Sequence, residues 1–167
     1  MMKRAVQKLV VGAALRVVHA ALVELREIDP YVAEECAKLP CGISYAIHTG
    51  FQCPSLYVRW SGKGLDRLAV LESPRCDLKL KSLSISFRLF SGQMGLAQAY
   101  AQHAFTLAGE VADVMRLARL VNRAEAYLFP PFITKKFLTE LPQLPTSPLR
   151  MYARMALGFI TGKYKAI

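Results

Sequence analysis

Acidic residues are scarce in this sequence, and charged residues as a whole are few. Its 167 residues include 12 Asp and Glu against 22 Lys and Arg, so 20% are charged and the net charge is +10. Hydrophobic residues make up 53%, more than in an average soluble domain. This apolar excess requires a large core, a ligand cavity, a partner interface or a membrane surface. The basic excess predicts attraction to anionic surfaces, although a solvated basic exterior without a specific partner explains it equally well.

Motifs of the common enzyme classes are also missing. The sequence contains no P-loop, no H-E-x-x-H and no serine in a nucleophile elbow. Asp66, Glu72 and Asp77 lie scattered on or beside predicted strands, unlike a paired general acid and base. We therefore expect that the protein is not an enzyme and has no catalytic residues. Tight Lys/Arg runs and RNA-binding aromatic motifs are absent too, so we expect no nucleic-acid partner.

None of the four cysteines is placed for a metal site. They form no C-x-x-C pair, and the three histidines do not fall near them at ligand spacing. We expect no metal and no cofactor, and we interpret the cysteines as small buried side chains in a reducing compartment. They are Cys36, Cys41, Cys53 and Cys76.

The N-terminal residues resemble a secretory signal only superficially. An apolar run over residues 9–15 follows three basic residues, but Arg16 and His19 interrupt it and no small-residue cleavage site follows. The uncharged run is too short to span a bilayer, so we expect an uncleaved cytoplasmic protein. An amphipathic helix explains the pattern better, with a wide apolar arc over residues 5–25 and one polar stripe that places His19 at the surface. The stripe consists of Lys8, Gly12, Arg16, His19 and Arg26.

The following segments predict an α+β fold. Asp29 and Pro30 form a cap and first turn for a short helix that ends near Pro40. Alternating or apolar stretches with turn residues between them predict four strands in an antiparallel meander. A fifth strand is predicted over 104–108 and is followed by a helix that begins at Glu110. The four earlier strand candidates cover residues 43–48, 56–61, 68–71 and 77–81.

Two further predictions concern helices. Residues 83–90 alternate like a strand, yet we assign them to a helix because of the resemblance described below. On the helix after Glu110, one face is apolar and is expected to pack inward: Val111, Val114, Met115, Ala118 and Val121. The other face is polar: Asp113, Arg116, Arg119 and Arg123.

The chain beyond residue 130 is broken by prolines. We assign residues 1–130 to one domain and residues 131–167 to a proline-broken helical arm too small for its own core. Ser147 and Pro148 predict a cap and first turn for its last helix. That helix combines Phe159 and Ile160 with four basic residues, which favours peripheral contact with an anionic membrane, although packing on its own domain explains it equally well. The four are Arg150, Arg154, Lys163 and Lys165.

Residues 40–128 resemble the type-two sterol carrier protein family, the nonspecific lipid-transfer fold. The motifs that carry the resemblance are an acidic strand, a glycine that ends a helix, an alanine–aromatic segment, a strand and a second glycine. They correspond to residues 76–80, Gly92, Ala99 to Gln102, Phe105 with Leu107, and Gly109. Two departures occur: His103 stands where the family usually has glycine, and Ala101 replaces one of two paired aromatics.

The resemblance implies one mostly antiparallel sheet of about five strands, with helices over one face and an apolar tunnel between them. The expected function is non-catalytic binding or transfer of a fatty acyl, sterol-like or isoprenoid lipid, because such a tunnel needs few polar groups. Ordinary core packing is the alternative for each lining residue. The expected ligand-binding residues are Phe87, Phe90, Met94, Leu96, His103, Phe105, Leu107, Val111, Val114, Met115 and Ala118.

A second hypothesis is a non-catalytic interaction module. In that case the protein holds an enzyme of lipid or quinone metabolism near the membrane, and the apolar arc of residues 5–25 is a partner or homodimer interface.

Overall fold

The computed structural model describes residues 2–135 and 142–167. Its elements confirm the α+β class, with five strands and seven helices in the described part of the chain. In chain order they are α1 (Met2–Ile28), α2 (Pro30–Ala37), β1 (Ser44–His48), β2 (Ser55–Trp60), β3 (Leu65–Leu68), β4 (Cys76–Leu80), α3 (Leu83–Phe90), α4 (Leu96–Ala101), β5 (Phe105–Ala108), α5 (Val111–Leu128), α6 (Pro131–Thr134) and α7 (Pro148–Thr161).

The five strands form one sheet in the order β3-β2-β1-β4-β5. Three of its four pairings are antiparallel, as predicted, but β4 lies parallel to β1 with Tyr45 opposite Cys76. The simple meander is therefore wrong beyond β3, because the chain crosses back over β1 and β2 to reach β4. Strand β3 also begins at Leu65, three residues before the predicted start, and pairs with β2 from Trp60 to Tyr57.

Helix α1 is the central helix of the fold. Its second half packs against α2, α5, α7 and the sheet, so the apolar arc between Val11 and Leu25 belongs to the main core. By length and composition α1 could cross a membrane, yet it contains the buried carboxylate of Glu24 and the buried ring of His19. The surface position expected for His19 is wrong, since its Nε2 lies 2.8 Å from the carbonyl oxygen of Leu65.

Side-chain caps explain where two short helices begin. Asp29 precedes α2 and accepts a hydrogen bond from the backbone N–H of Tyr31 at 3.0 Å. Ser82 caps α3 in the same way, accepting from the N–H of Ile85 at 3.2 Å. Buried Ser86 donates to the carbonyl of Thr49 at 2.9 Å. These bonds satisfy polar groups that a strand would leave unpaired, and the helix predicted over 83–90 is confirmed.

Part of the predicted assignment of the two sides of α5 is wrong. Asp113, expected at the surface, is buried and accepts from the Nε of Arg75 at 2.9 Å. Arg119 reaches Glu35 of α2 at 2.8 Å, and Arg123 reaches the buried Asp29 at 2.6 Å. A buried carboxylate requires a cationic partner, so these pairs orient the arginine side of α5 toward α2. Of the predicted inward stripe, Val111 and Met115 are exposed, whereas Val114 packs against the main core and Val121 lines the space between the sheet and the helices.

The C-terminal arm packs onto the same core. Met151, Met155 and Tyr164 belong to the main hydrophobic cluster together with α1. Ser147 caps α7 as predicted, accepting from the N–H of Leu149 at 3.3 Å. Ile167 makes two backbone hydrogen bonds, donating to Arg67 of β3 and accepting from Ala69, the residue that follows β3. Residues 136–141 of the arm lie outside the described residues.

Candidate functional site

The helix-facing side of the sheet is incompletely covered at β4 and β5. Strand pairing places Leu78 opposite Leu107 and Leu80 opposite Phe105, all on the side that carries the core residue Tyr45. Leu80 is buried, but Leu78 and Phe105 are half-buried and Leu107 is 40% exposed. Helices α3 and α4 pack against the Leu80 and Phe105 end. An apolar strip of the inner sheet face is therefore accessible beside Leu107.

The first turns of α5 extend this accessible apolar surface. Only Gly109 and Glu110 separate β5 from α5, so the start of the helix lies at the edge where Leu107 is exposed. Val111 is 76% exposed and Met115 is 50% exposed, while Val114 and Ala118 are half-buried. We call this surface, formed by Leu78, Phe105, Leu107, Val111, Val114, Met115 and Ala118, the β5–α5 cleft.

The structure brings most of the predicted ligand-binding residues to this region, but not all in the same setting. Six of the eleven belong to the β5–α5 cleft: Phe105, Leu107, Val111, Val114, Met115 and Ala118. Phe90 is half-buried beside the second hydrophobic cluster. Phe87 packs half-buried against the main core. Met94 is a fully buried core residue, Leu96 is half-buried at the start of α4, and His103 is exposed.

The space between the sheet and the helices is almost filled. A void of about 20 Å³ lies there, enclosed by α1, α5 and the first three strands, and it has the apolar lining expected of a lipid tunnel. A volume of this size is sufficient for about one water molecule. The wide tunnel implied by the resemblance is therefore closed at this place. Its lining includes Val18, Leu22, Tyr45, Ile47, Leu117 and Val121.

Glu125 is a polar residue that the sequence analysis missed. It lies one helical turn after Val121 and four residues before Phe129, on the apolar stripe of α5, and it is half-buried. Among residues 2–135 and 142–167, burial is the one influence that shifts the pKa of its carboxyl. Burial raises its pKa to about 7. Carboxyls with a pKa raised by burial concentrate at functional sites. In the sequence, Glu125 could have been found as one acidic residue within an apolar series at i, i+4 spacing.

Left-handed backbone explains one departure from the family pattern. His103 follows α4 with φ of 49°, a conformation that favours glycine, which is the residue the family usually has there. His103 therefore occupies a turn position, and its exposed ring makes no contribution to the interior. Gly109 has φ of 131°, and a Cβ atom there would lie 2.7 Å from the carbonyl oxygen of Arg75. Both residues set the turns that flank β5.

A second polar group lies on the outer face of the sheet. The Nδ1 of His48 is 3.3 Å from the Oγ of Ser55, and its Nε2 is 3.3 Å from a carboxylate oxygen of Asp77. Lys79 pairs with the same Asp77 at 2.9 Å. The strand register places Ser55 directly opposite His48 and Lys79 beside it, so cross-strand pairing accounts for this cluster.

Among residues 2–135 and 142–167, no group of three or more His, Cys, Asp and Glu side chains is arranged to hold a metal ion. Cys36 and Cys76 are buried, Cys53 is half-buried and Cys41 is exposed, and all four are free thiols. Burial raises the pKa of the Cys36 thiol to about 11. This thiol is therefore protonated at neutral pH and is a packing residue.

Two solved structures of sterol carrier type are similar to this chain. One is described as a UbiJ-SCP2 ubiquinone synthesis protein; it is 15% identical, with a TM-score of 0.49, and covers 75% of this chain and 100% of its own. The other is Sterol Carrier Protein 2 Like 2 from Aedes aegypti; it is 13% identical, with a TM-score of 0.41, and covers 62% of this chain and 91% of its own. At these identities the likeness concerns the fold alone. No family model and no curated protein matches the sequence.

Proposed function

We propose that this protein binds a hydrophobic ligand, an acyl, sterol-like or isoprenoid lipid, in the β5–α5 cleft without catalysing a reaction on it. The observation that carries the proposal is the accessible apolar surface on the helix-facing side of β5, where Leu107, Val111 and Met115 are exposed together. Soluble proteins rarely expose contiguous apolar surface unless a ligand or partner covers it. The resemblance of residues 40–128 to the sterol carrier family supports the same ligand class.

The ion pairs of α5 favour binding in the cleft over binding in the enclosed void. Three side chains of this helix form ion pairs in which one member is buried: Asp113 with Arg75, Arg119 with Glu35 and Arg123 with Asp29. Opening the void requires α5 to move away from the sheet, which strains these attachments. A ligand in the cleft contacts the free side of the helix and leaves them intact. Each methylene it buries is worth about 0.8 kcal/mol.

Native mass spectrometry of the purified protein tests the proposal, with organic extraction to identify any bound lipid. We expect a co-purifying lipid, or saturable binding of a fluorescent fatty acid. Leu107→Asp and Met115→Trp should weaken that binding at least tenfold while the protein stays folded, since neither side chain is buried: Leu107 is 40% and Met115 is 50% exposed. Val70→Asp is the control, because Val70 is an apolar residue outside the cleft and is 73% exposed. Unchanged binding in the two folded cleft variants would contradict the proposal.

The alternative function is that of an interaction module. The apolar surface of α1 that is accessible to a partner is smaller than the sequence predicted. Most of the apolar arc of α1 is buried in the core, but Val6, Leu9 and Val10 remain exposed. Beside them an open groove of about 430 Å³ is lined by three residues of α1, Lys3, Arg4 and Gln7, and by the start of α3. An empty protein that forms a stable dimer through these first turns would favour this alternative over ligand binding.

A further inference from the structure

The outward side of α7 is apolar, contrary to the usual pattern of a surface helix. Its inward side, Met151, Met155 and Gly158, is buried against α1. The opposite side repeats at helical spacing and is fully open to solvent, with Leu149 75% exposed and Ile160 82% exposed. We call this side the outer face of α7; it consists of Leu149, Ala153, Ala156, Leu157 and Ile160.

The charge around this face is of one sign. No acidic residue occurs anywhere between residues 142 and 167. Arg154 and Lys163 are engaged with Glu24 and Glu27 of α1, so they are not free for an external anion. Arg150 and Lys165 are exposed and have no acidic partner within the described residues. The outer face of α7 thus combines an apolar strip with unpaired cations at each end.

We infer that the outer face of α7 docks on an anionic lipid bilayer, with the helix lying in the plane of the interface. Between Leu149 and Ile160 the helix is about 17 Å long, and a helix of this kind buries its apolar face at the boundary of headgroups and acyl chains. Arg150 and Lys165 then reach lipid phosphates, extending their side chains along the apolar surface.

A second copy of this chain fits the outer face of α7 less well than a bilayer does. Two outer faces packed together would place Arg150 and Lys165 of both copies around one interface, with no carboxylate between residues 142 and 167 to pair with them. Like charges at an interface oppose association, and each copy carries a net charge of +10. A bilayer of anionic lipid supplies both the apolar medium and the counter-charge.

Co-sedimentation with vesicles tests this inference, and it requires no cleft ligand. The protein should bind vesicles of equal parts phosphatidylcholine and phosphatidylglycerol, and added salt should weaken the binding. Ile160→Glu should reduce the vesicle-bound fraction at least tenfold. Phe51→Glu is the control with the same charge change, since Phe51 is 84% exposed on the β1–β2 loop, and it should bind within about twofold of wild type. The fold of each variant is checked by circular dichroism.

Three outcomes would overturn the inference. The first is that the wild type does not bind the vesicles. The second is that Ile160→Glu and Phe51→Glu lose vesicle binding equally. The third is that the wild type forms a dimer that Ile160→Glu dissociates, while neither protein binds vesicles. Arg150→Glu supplies an independent arm: it should weaken binding to the anionic vesicles and leave any binding to pure phosphatidylcholine unchanged. Failure of lipid uptake in the cleft variants leaves all these results unaffected, so the two proposals fail separately.

Discussion

The Nζ of Lys163 lies 2.6 Å from Oε1 of Glu24, joining the segment after α7 to the C-terminal part of α1. The Tyr164 hydroxyl donates to the same oxygen at 2.7 Å, and the Nε of Arg154 donates to Oε2 at 2.6 Å. Burial alone would raise the pKa of Glu24, but these three donors outweigh it and lower the pKa. Glu24 is therefore ionised, and its partners hold α7 against α1.

Glu24→Gln should destabilise the protein by about 2 kcal/mol at neutral pH, since it removes the charge that two cations share. A carboxyl whose folded-state pKa is lowered stabilises the fold above its unfolded-state pKa, and this stabilisation is lost as pH falls through the folded-state pKa. The difference between wild type and variant should therefore shrink in acid. Urea unfolding at neutral pH and at several acidic pH values measures it. A difference that stays constant down to strongly acidic pH would contradict the role of the charge.

Glu125 should have the opposite pH dependence. Its folded-state pKa is raised to about 7. Between the unfolded-state pKa and pH 7, the carboxyl is therefore protonated in the folded protein and ionised in the unfolded chain. The stability contributed by this group should fall by up to about 3 kcal/mol as pH rises from the unfolded-state pKa to 7. Glu125→Gln should remove that slope and stabilise the protein above pH 7. Thermal unfolding across this pH range, compared with Glu72→Gln at an exposed position, checks the prediction.

Gly109 should tolerate no side chain. A Cβ atom at this position would approach the carbonyl oxygen of Arg75 to 2.7 Å, and φ of 131° is unfavourable for any other residue. We expect Gly109→Ala to destabilise the fold by about 3 kcal/mol. Gly42→Ala is the control, since Gly42 also has positive φ but open space around its Cβ position, and it should cost about 1 kcal/mol. Equal losses in chemical denaturation would show that the close contact has no effect.

His103→Gly should stabilise the protein slightly, by about 0.5 kcal/mol. Relief of the left-handed backbone gains about 1 kcal/mol, and the added freedom of the unfolded chain removes part of that gain. The neighbouring Gln102 has an ordinary φ of −87°, so Gln102→Gly should destabilise instead. Calorimetric melting of both variants distinguishes backbone strain from loss of the imidazole. A lower melting temperature for His103→Gly would indicate that the ring itself contributes to stability.

The parts of the fold predicted from sequence are those determined by local chemistry. Asp29 and Ser147 identified helix starts because a cap and a first-turn proline act within a few residues. The parallel pairing of β4 with β1 could not be found in this way, since it depends on a crossover between distant segments.

The wrong part of the α5 prediction also results from contacts between segments that are distant in sequence. Its apolar and polar sides were identified, but which side packs inward is decided by Glu35 and Asp29, far away in sequence. A periodic pattern separates two faces of a helix and does not say what each face meets. The buried carboxylates of α2, which attract the arginine side, became evident only in three dimensions. Val111 and Met115 are exposed in the β5–α5 cleft, although Val121 of the same stripe faces the interior.

Helix α1 precedes in sequence the helices that cover it. Its partners in α5 and α7 lie far along the chain, and Lys163, which pairs with Glu24, follows it by 139 residues. Until these helices pack against it, its apolar surface has no native cover. Contacts between such distant segments slow folding and prolong exposure to aggregation, so we expect the apolar surface of α1 to gain its native cover late in folding.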